Sequence, residues 1–218
     1  MTPARYSILL DGAFVLRRIR TNLGLARRPG IEHVLDECRR IRSHPLLADL
    51  DLLRIYWYDA RPASGSIRNP LSRSKLVLGE TELYRDANRL LQELEMQEDF
   101  ALRLGEVSVT PTWRLKPRVL AEIERTGRAL EPQDLKPGIE QKGVDLRIGL
   151  DMARLALREL VSTIVVVTGD SDMIPAFKFV RREGVRVLLE DLGGPVKHEL
   201  RVHADVVLGR AAPPPRPA

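Results

Sequence analysis

Thr163–Asp172 reads T-I-V-V-V-T-G-D-S-D, and this stretch decides the fold. From Thr163 to Thr168 the residues are β-branched and uncharged, a run long enough for a strand and too short for a helix. Uniform apolarity, rather than alternation, is expected of a strand buried on both faces, as in a parallel sheet covered by helices on either side. Gly169-Asp170 ends the run with a turn, and Ser171-Asp172 leads into an apolar-periodic helix over Met173–Glu183 with Pro175 in its first turn.

Outward from this centre the same alternation repeats. Upstream, Val144–Leu160 is a strong helix; downstream come a strand over Val185–Glu190, a short helix over Val196–His203 and a last strand over Val206–Leu208. At the other end, Tyr6–Leu10 is a compact apolar strand ending at Asp11-Gly12. Helical spacing then runs through residues 13–42, interrupted near Pro29-Gly30, with Ile31, Val34, Leu35, Cys38 and Ile41 on one face. Leu52–Tyr58 is the second strand, residues 60–79 a loop insertion, Glu82–Glu98 a helix and Leu102–Val109 the third strand. Prolines 111, 117, 132 and 137 break the connection over residues 111–138, leaving one short helix at Val119–Arg128. Residues 210–218, rich in proline, are expected to be disordered. The fold class is therefore α/β, a three-layer α/β/α sandwich on a mostly parallel sheet, expected as one domain over residues 1–209.

Composition narrows the setting. The chain has 218 residues, 44% hydrophobic and 30% charged, enough for a core without staples. One cysteine, Cys38, excludes an intrachain disulfide and reads as core packing on its apolar helix face. No apolar run approaches the ~20 residues that span a bilayer, and Asp11 interrupts the stretch where a secretory signal would need apolar continuity. A cytoplasmic protein without membrane association is expected. The formal charge of +5, from 35 Lys+Arg against 30 Asp+Glu, points to an anionic partner such as nucleic acid.

In open parallel sheets, ligands bind beyond the carboxyl ends of the strands, where strand order reverses. That rule singles out Asp11 and Asp170, with Asp172 on the same turn as Asp170. Asp145, in K-G-V-D, opens the long helix before the central strand. Each acid alone has a local reading: Asp11 as a turn former, Asp172 as a helix cap, Asp145 as a favourable first-turn charge. Together, four converging carboxylates would repel one another unless a cation neutralised them, and oxygen ligands of this kind suit Mg²⁺ or Mn²⁺. Such ions activate water and stabilise charge on a phosphodiester under hydrolysis. Asp151 lies about 120° around the helix from Asp145 and stands in a second tier with Lys142, Thr168 and Ser171. No G-x-x-x-x-G-K-[ST] loop is present and no G-x-G-x-x-G follows the first strand. Ala13 stands where an aspartyl-nucleophile phosphatase needs a second acid, and no lysine ends the fifth strand as a phospho-aspartate signalling domain requires.

L-L-D-G at the N-terminus, K-G-V-D-x-x-x-x-x-D, and V-V-V-T-G-D-S-D-M-I-P followed by R-x-E-G-V-R-V resemble the NYN domain, a branch of the PIN-like nucleases. The resemblance spans about Arg5 to Leu208. It implies a Rossmann-like sandwich and Mg²⁺- or Mn²⁺-dependent RNA cleavage, with metal ligands at Asp11, Asp145, Asp170 and Asp172. Many members carry an asparagine within about three residues of the first aspartate, whereas Gly12-Ala13-Phe14 follows here. A second reading therefore stays open: a catalytically weak or inactive RNA-binding or protein-interaction module of the same fold.

The expected partner is RNA, single-stranded or structured, with a homodimer as an open assembly. Arg17 and Arg18 on the first helix, Arg61 and Arg68 in the insertion, and Arg114 and Lys116 after the third strand would form a basic rim guiding phosphates to the acids. Tyr58 and Trp113 are candidates for stacking on unpaired bases.

Overall fold

Side-chain alternation along the first strand shows which helices cover which face. In the computed structural model, which describes residues 4–117 and 119–209, β1 (Arg5–Asp11) turns Tyr6, Ile8 and Leu10 into one core and Leu9 into another. The first core takes Phe14, Val15 and Ile19 from α1 (Gly12–Leu23), Val34, Cys38 and Ile41 from α2 (Ile31–Arg42), and Leu90, Leu91 and Leu94 from α3 (Glu82–Glu95). The second takes Ile148, Met152 and Leu155 from α5 (Val144–Leu157), Phe177 and Val180 from α6 (Ile174–Arg182), and Leu200 from α7 (His198–Val202). Each fully buried Leu, Ile, Val or Phe contributes about 1.5–3 kcal/mol relative to exposure. Three layers result, and Cys38 packs in the core as expected.

The sheet between these layers also contains β2 (Asp51–Ala60), β5 (Phe100–Leu115), β6 (Leu135–Lys142), β7 (Thr163–Val167), β8 (Arg186–Glu190) and β9 (Val206–Leu208). Its order is β6-β5-β2-β1-β7-β8-β9, parallel except for the antiparallel β5–β6 pair. All five residues of β7 are buried, matching the uniform apolarity of T-I-V-V-V. The chain grows outward from β1 through β2 to β5 on one side, then returns to place β7 on the other. Strand order therefore reverses between β1 and β7, whose carboxyl ends carry Asp11 and the Thr168–Asp172 turn.

Two segments differ from expectation. The insertion over residues 60–79 holds a small antiparallel hairpin of β3 (Ser66–Arg68) and β4 (Lys75–Val77). The proline-broken connection is an arm: β5 continues to Leu115, α4 (Val119–Thr126) turns it, and β6 returns antiparallel. Proline breaks central strands but is tolerated at irregularities and on edges. Pro111 falls where the β5–β6 register shifts, between Thr110 and Trp113, and Pro137 lies on β6, the edge strand. Arg118 and the proline-rich tail, residues 210–218, lie outside the described residues.

Candidate active site

Three of the four singled-out acids line one cavity. Asp11, Asp145 and Asp170 share a space of about 380 Å³ with Phe14, Arg17, Gln141, Ser171 and Lys197. Asp172 does not line it, but its charge acts on Asp145 together with that of Asp170.

Local chemistry positions each carboxylate. Asp11 ends β1 and caps α1, its Oδ1 accepting from the Phe14 N–H at 3.1 Å. Its Oδ2 accepts from the Thr168 hydroxyl at 3.2 Å, and Thr168 Oγ1 in turn accepts from the Asp170 N–H at 3.1 Å. One fully buried hydroxyl thus ties the end of β1 to the turn after β7. Asp170 caps the next turn, its Oδ1 accepting from the Asp172 N–H at 2.9 Å. Gly169 is required by close approach: a Cβ there would stand 2.6 Å from the Phe14 ring. Asp145 lies in the first turn of α5, delivered by Gly143 in the left-handed conformation at φ 73°. The local readings of Asp11 as a turn former and Asp145 as a first-turn charge hold alongside the cavity geometry; Asp170, rather than Asp172, is the cap.

Electrostatics at the cavity favour a cation. Burial pushes the Asp11 carboxyl above its ordinary value; the Phe14 N–H and Thr168 hydroxyl pull it back, while Asp145 adds repulsion. Asp145 is raised by burial first, then by the charges of Asp170 and Asp172. Arg17, stacked 5.7 Å over the Phe14 ring, and Lys197, donating to Ser171 Oγ at 3.1 Å, reach the same cavity. Among the described residues, neither makes a salt bridge to these acids. Nor, among the described residues, do three or more His, Cys, Asp or Glu side chains close into a ready-made metal cage. The donor set is nonetheless all oxygen, partly desolvated and repulsive. It fits a hard cation that completes its shell with water and phosphate, as Mg²⁺ does.

The remaining predicted residues separate. Asp151 turns elsewhere, accepting from Tyr58 Oη at 2.9 Å and from Arg103 Nε at 3.0 Å. Tyr58 is fully buried beside it and cannot stack on a base, because β2 is covered on both faces. Trp113 is half-buried on the β5 arm. Lys142 is exposed at the end of β6, two residues before α5. Of the basic rim, only Arg17 reaches the acids' cavity. Arg18 donates to Asn22 Oδ1 and the Gly193 carbonyl, each at 2.9 Å. Arg61 pairs with Glu95 at 3.6 Å, and Arg114 pairs with Glu140 on the neighbouring strand. Arg68 and Lys116 are exposed. Gln141 and Lys197 escaped sequence reading, since neither belongs to a motif; only the fold brings them to the cavity.

A family model described as the NYN domain matches residues 76–206, more than half of the chain. The match includes Asp145, Asp170 and Asp172; Asp11 precedes it. No curated protein matches. Among solved structures, a protein of unknown function from Vibrio parahaemolyticus aligns at 16% identity over 95% of this chain and 93% of that one, with a TM-score of 0.49.

Proposed function

The chain belongs to the NYN domain family, a group of PIN-like nucleases, and from that premise we propose that it is a metal-dependent endoribonuclease. The observation that carries the reading is the shared cavity of Asp11, Asp145 and Asp170 at the point where strand order reverses. Their carboxylates would hold Mg²⁺ or Mn²⁺, with Asp172 adding negative charge that acts on Asp145. Such an ion supplies an activated water and charge stabilisation at phosphorus. Thr168 holds Asp11 and the Asp170 turn in register, so it acts by positioning. Arg17 and Lys197 offer cationic contacts to the non-bridging phosphate oxygens and leave the acids free for the ion. One cysteine suits a reducing cytoplasm and the positive balance suits an anionic substrate; membership of the NYN family is what makes RNA the substrate in this reading. Among the described residues, no helix is long and apolar enough to cross a membrane.

Incubating labelled single-stranded and hairpin RNA with the protein in Mn²⁺, with an EDTA control, tests the proposal. Cleavage is expected in Mn²⁺ only, and Asp170→Asn should lower it by at least a hundredfold. The second reading, a binding module of the same fold, has one favouring feature in the Gly12-Ala13-Phe14 departure after Asp11. It is supported instead if RNA binds with metal-independent affinity and stays intact.

A further inference from the structure

A second, larger cavity of about 800 Å³ adjoins the acid-lined one and shares Ala13, Arg17 and Gln141 with it. Its walls differ in chemistry. One is apolar, built from Leu16, Leu25 and Pro29, with Leu83 at the start of α3 left 63% exposed. Together these apolar side chains give a flat ring a surface to lie against. The other wall is polar and only partly satisfied. Asp59, near the end of β2, is 4% exposed, and its Oδ1 accepts from the Ala60 N–H and from Gln141 Nε2, both at 2.7 Å. Its Oδ2 stands 3.8 Å from the Arg28 guanidinium, beyond hydrogen-bond reach. Arg28 Nε is buried without a hydrogen-bond partner, and among the described residues Gln141 Oε1 accepts no hydrogen bond. The buried Arg28 Nε carries the cost of an unmade hydrogen bond, whereas Gln141 is exposed and its Oε1 is open to solvent or to a ligand.

The groups lining the cavity are two acceptors, Asp59 Oδ2 and Gln141 Oε1, beside the Arg28 guanidinium as donor, whose side chain is 25% exposed. We propose that this cavity binds a guanine base of single-stranded RNA, on the nucleotide adjoining the phosphodiester at the acid-lined cavity. Guanine's Watson–Crick edge offers adjacent N1–H and N2–H donors and the O6 acceptor, the complement of that set. Adenine and cytosine would set a ring-nitrogen lone pair against a carboxylate, and uracil offers a single donor between two carbonyls. Arg17, at the seam of the two cavities, takes the intervening phosphate. The inference rests on reading the acids as the cleavage centre, but base binding needs no metal and is measured separately.

Fluorescence anisotropy in EDTA, with labelled oligouridine hexamers carrying one central G, A or C, tests it. The G hexamer should bind at least tenfold tighter than the others, the scale of one bidentate base contact. Free guanosine 5′-monophosphate should bind at least tenfold more weakly than the G hexamer. Asp59→Asn should cut the preference below about threefold while leaving oligouridine affinity within about twofold; Arg28→Met, checked by thermal melting, provides the same readout should Asp59→Asn fail to fold. Equal binding of the four hexamers, a preference unchanged in both variants, or mononucleotide affinity equal to the hexamer's overturns the guanine pocket. RNA cleavage in Mn²⁺ without base preference removes this inference and leaves the nuclease reading. Guanine preference in EDTA without cleavage in Mn²⁺ does the reverse.

Discussion

Two groups of carboxylates sit at the carboxyl ends of neighbouring parallel strands, and the chain treats them in opposite ways. Glu190 ends β8, fully buried, its Oε2 2.9 Å from Arg40 and its Oε1 accepting from the Leu192 N–H at 2.7 Å. Arg40 also pairs with Glu37 at 2.7 Å. Asp11 and the Asp170 turn, at the ends of β1 and β7, are held by a hydroxyl and backbone N–H groups, and among the described residues they have no salt-bridge partner. The fold supplies a cation of its own to Glu190 and none to the cavity acids, which is why we propose that theirs comes from outside. Strand-end position alone therefore does not mark a functional acid. Missing internal neutralisation at such a position is what sets the proposed site apart.

The contrast can be broken most sharply at Asp145. Asp145→Asn should lower metal-dependent RNA cleavage about a thousandfold, equivalent to about 4 kcal/mol of barrier. Its melting temperature should stay level or rise, because a repelled carboxylate is removed. A fall in both would place Asp145 with the structural acids. Next in size, Glu190→Ala leaves Arg40 short of a buried partner and should cost about 3 kcal/mol of stability, visible in urea melts. Cleavage per folded molecule should not change. Mn²⁺ at a hundredfold excess over its dissociation constant should stabilise the native protein by about 2.7 kcal/mol. The double variant Asp11→Asn/Asp145→Asn should lose that gain and Glu190→Ala keep it.

The smallest effect is on pH dependence without metal. Burial raises the Asp11, Asp145 and Glu190 carboxyls, so the native state takes up protons before the unfolded chain does. Stability should then rise as pH falls toward these folded values. Asp134 works the other way: hydrogen bonds from Arg128 and the Glu131 N–H hold its carboxyl down at about 2. Its contribution is complete above the ordinary aspartate value of about 4 and is lost as pH falls from there to about 2. Asp11→Asn/Asp145→Asn should flatten the upper limb of a pH–stability curve, and Arg128→Met the lower.

The legible parts of the sequence were those where one physical demand dominates. A strand buried on both faces must be apolar throughout, so Tyr6–Leu10 and Thr163–Val167 announced the centre of the sheet, and the acids after them followed from where such strands end. The β5–β6 arm was hidden because proline carries two meanings, breaker in a central strand and tolerated residue at a register shift or edge, and only the partner strand distinguishes them. Tyr58 was misplaced for a related reason: in a strand covered on both sides, successive Trp57 and Tyr58 are both buried, leaving neither for a base. Asp59 obeys the same strand-end rule as Asp11 but is followed by Ala60-Arg61 rather than a glycine turn, so no motif drew attention to it. The arginine rim was legible as charge, not as place, since Arg18, Arg61 and Arg114 are tied to partners that local sequence does not name.

We propose that Asp11, Asp145 and Asp170 together accept one external divalent cation. Anomalous scattering from a crystal grown with Mn²⁺ tests it most directly. A manganese peak is expected in their shared cavity, at about 2.0–2.2 Å from carboxylate oxygens of at least two of the three. A well-ordered crystal whose only manganese lies elsewhere, or that shows none at saturating Mn²⁺, would contradict it.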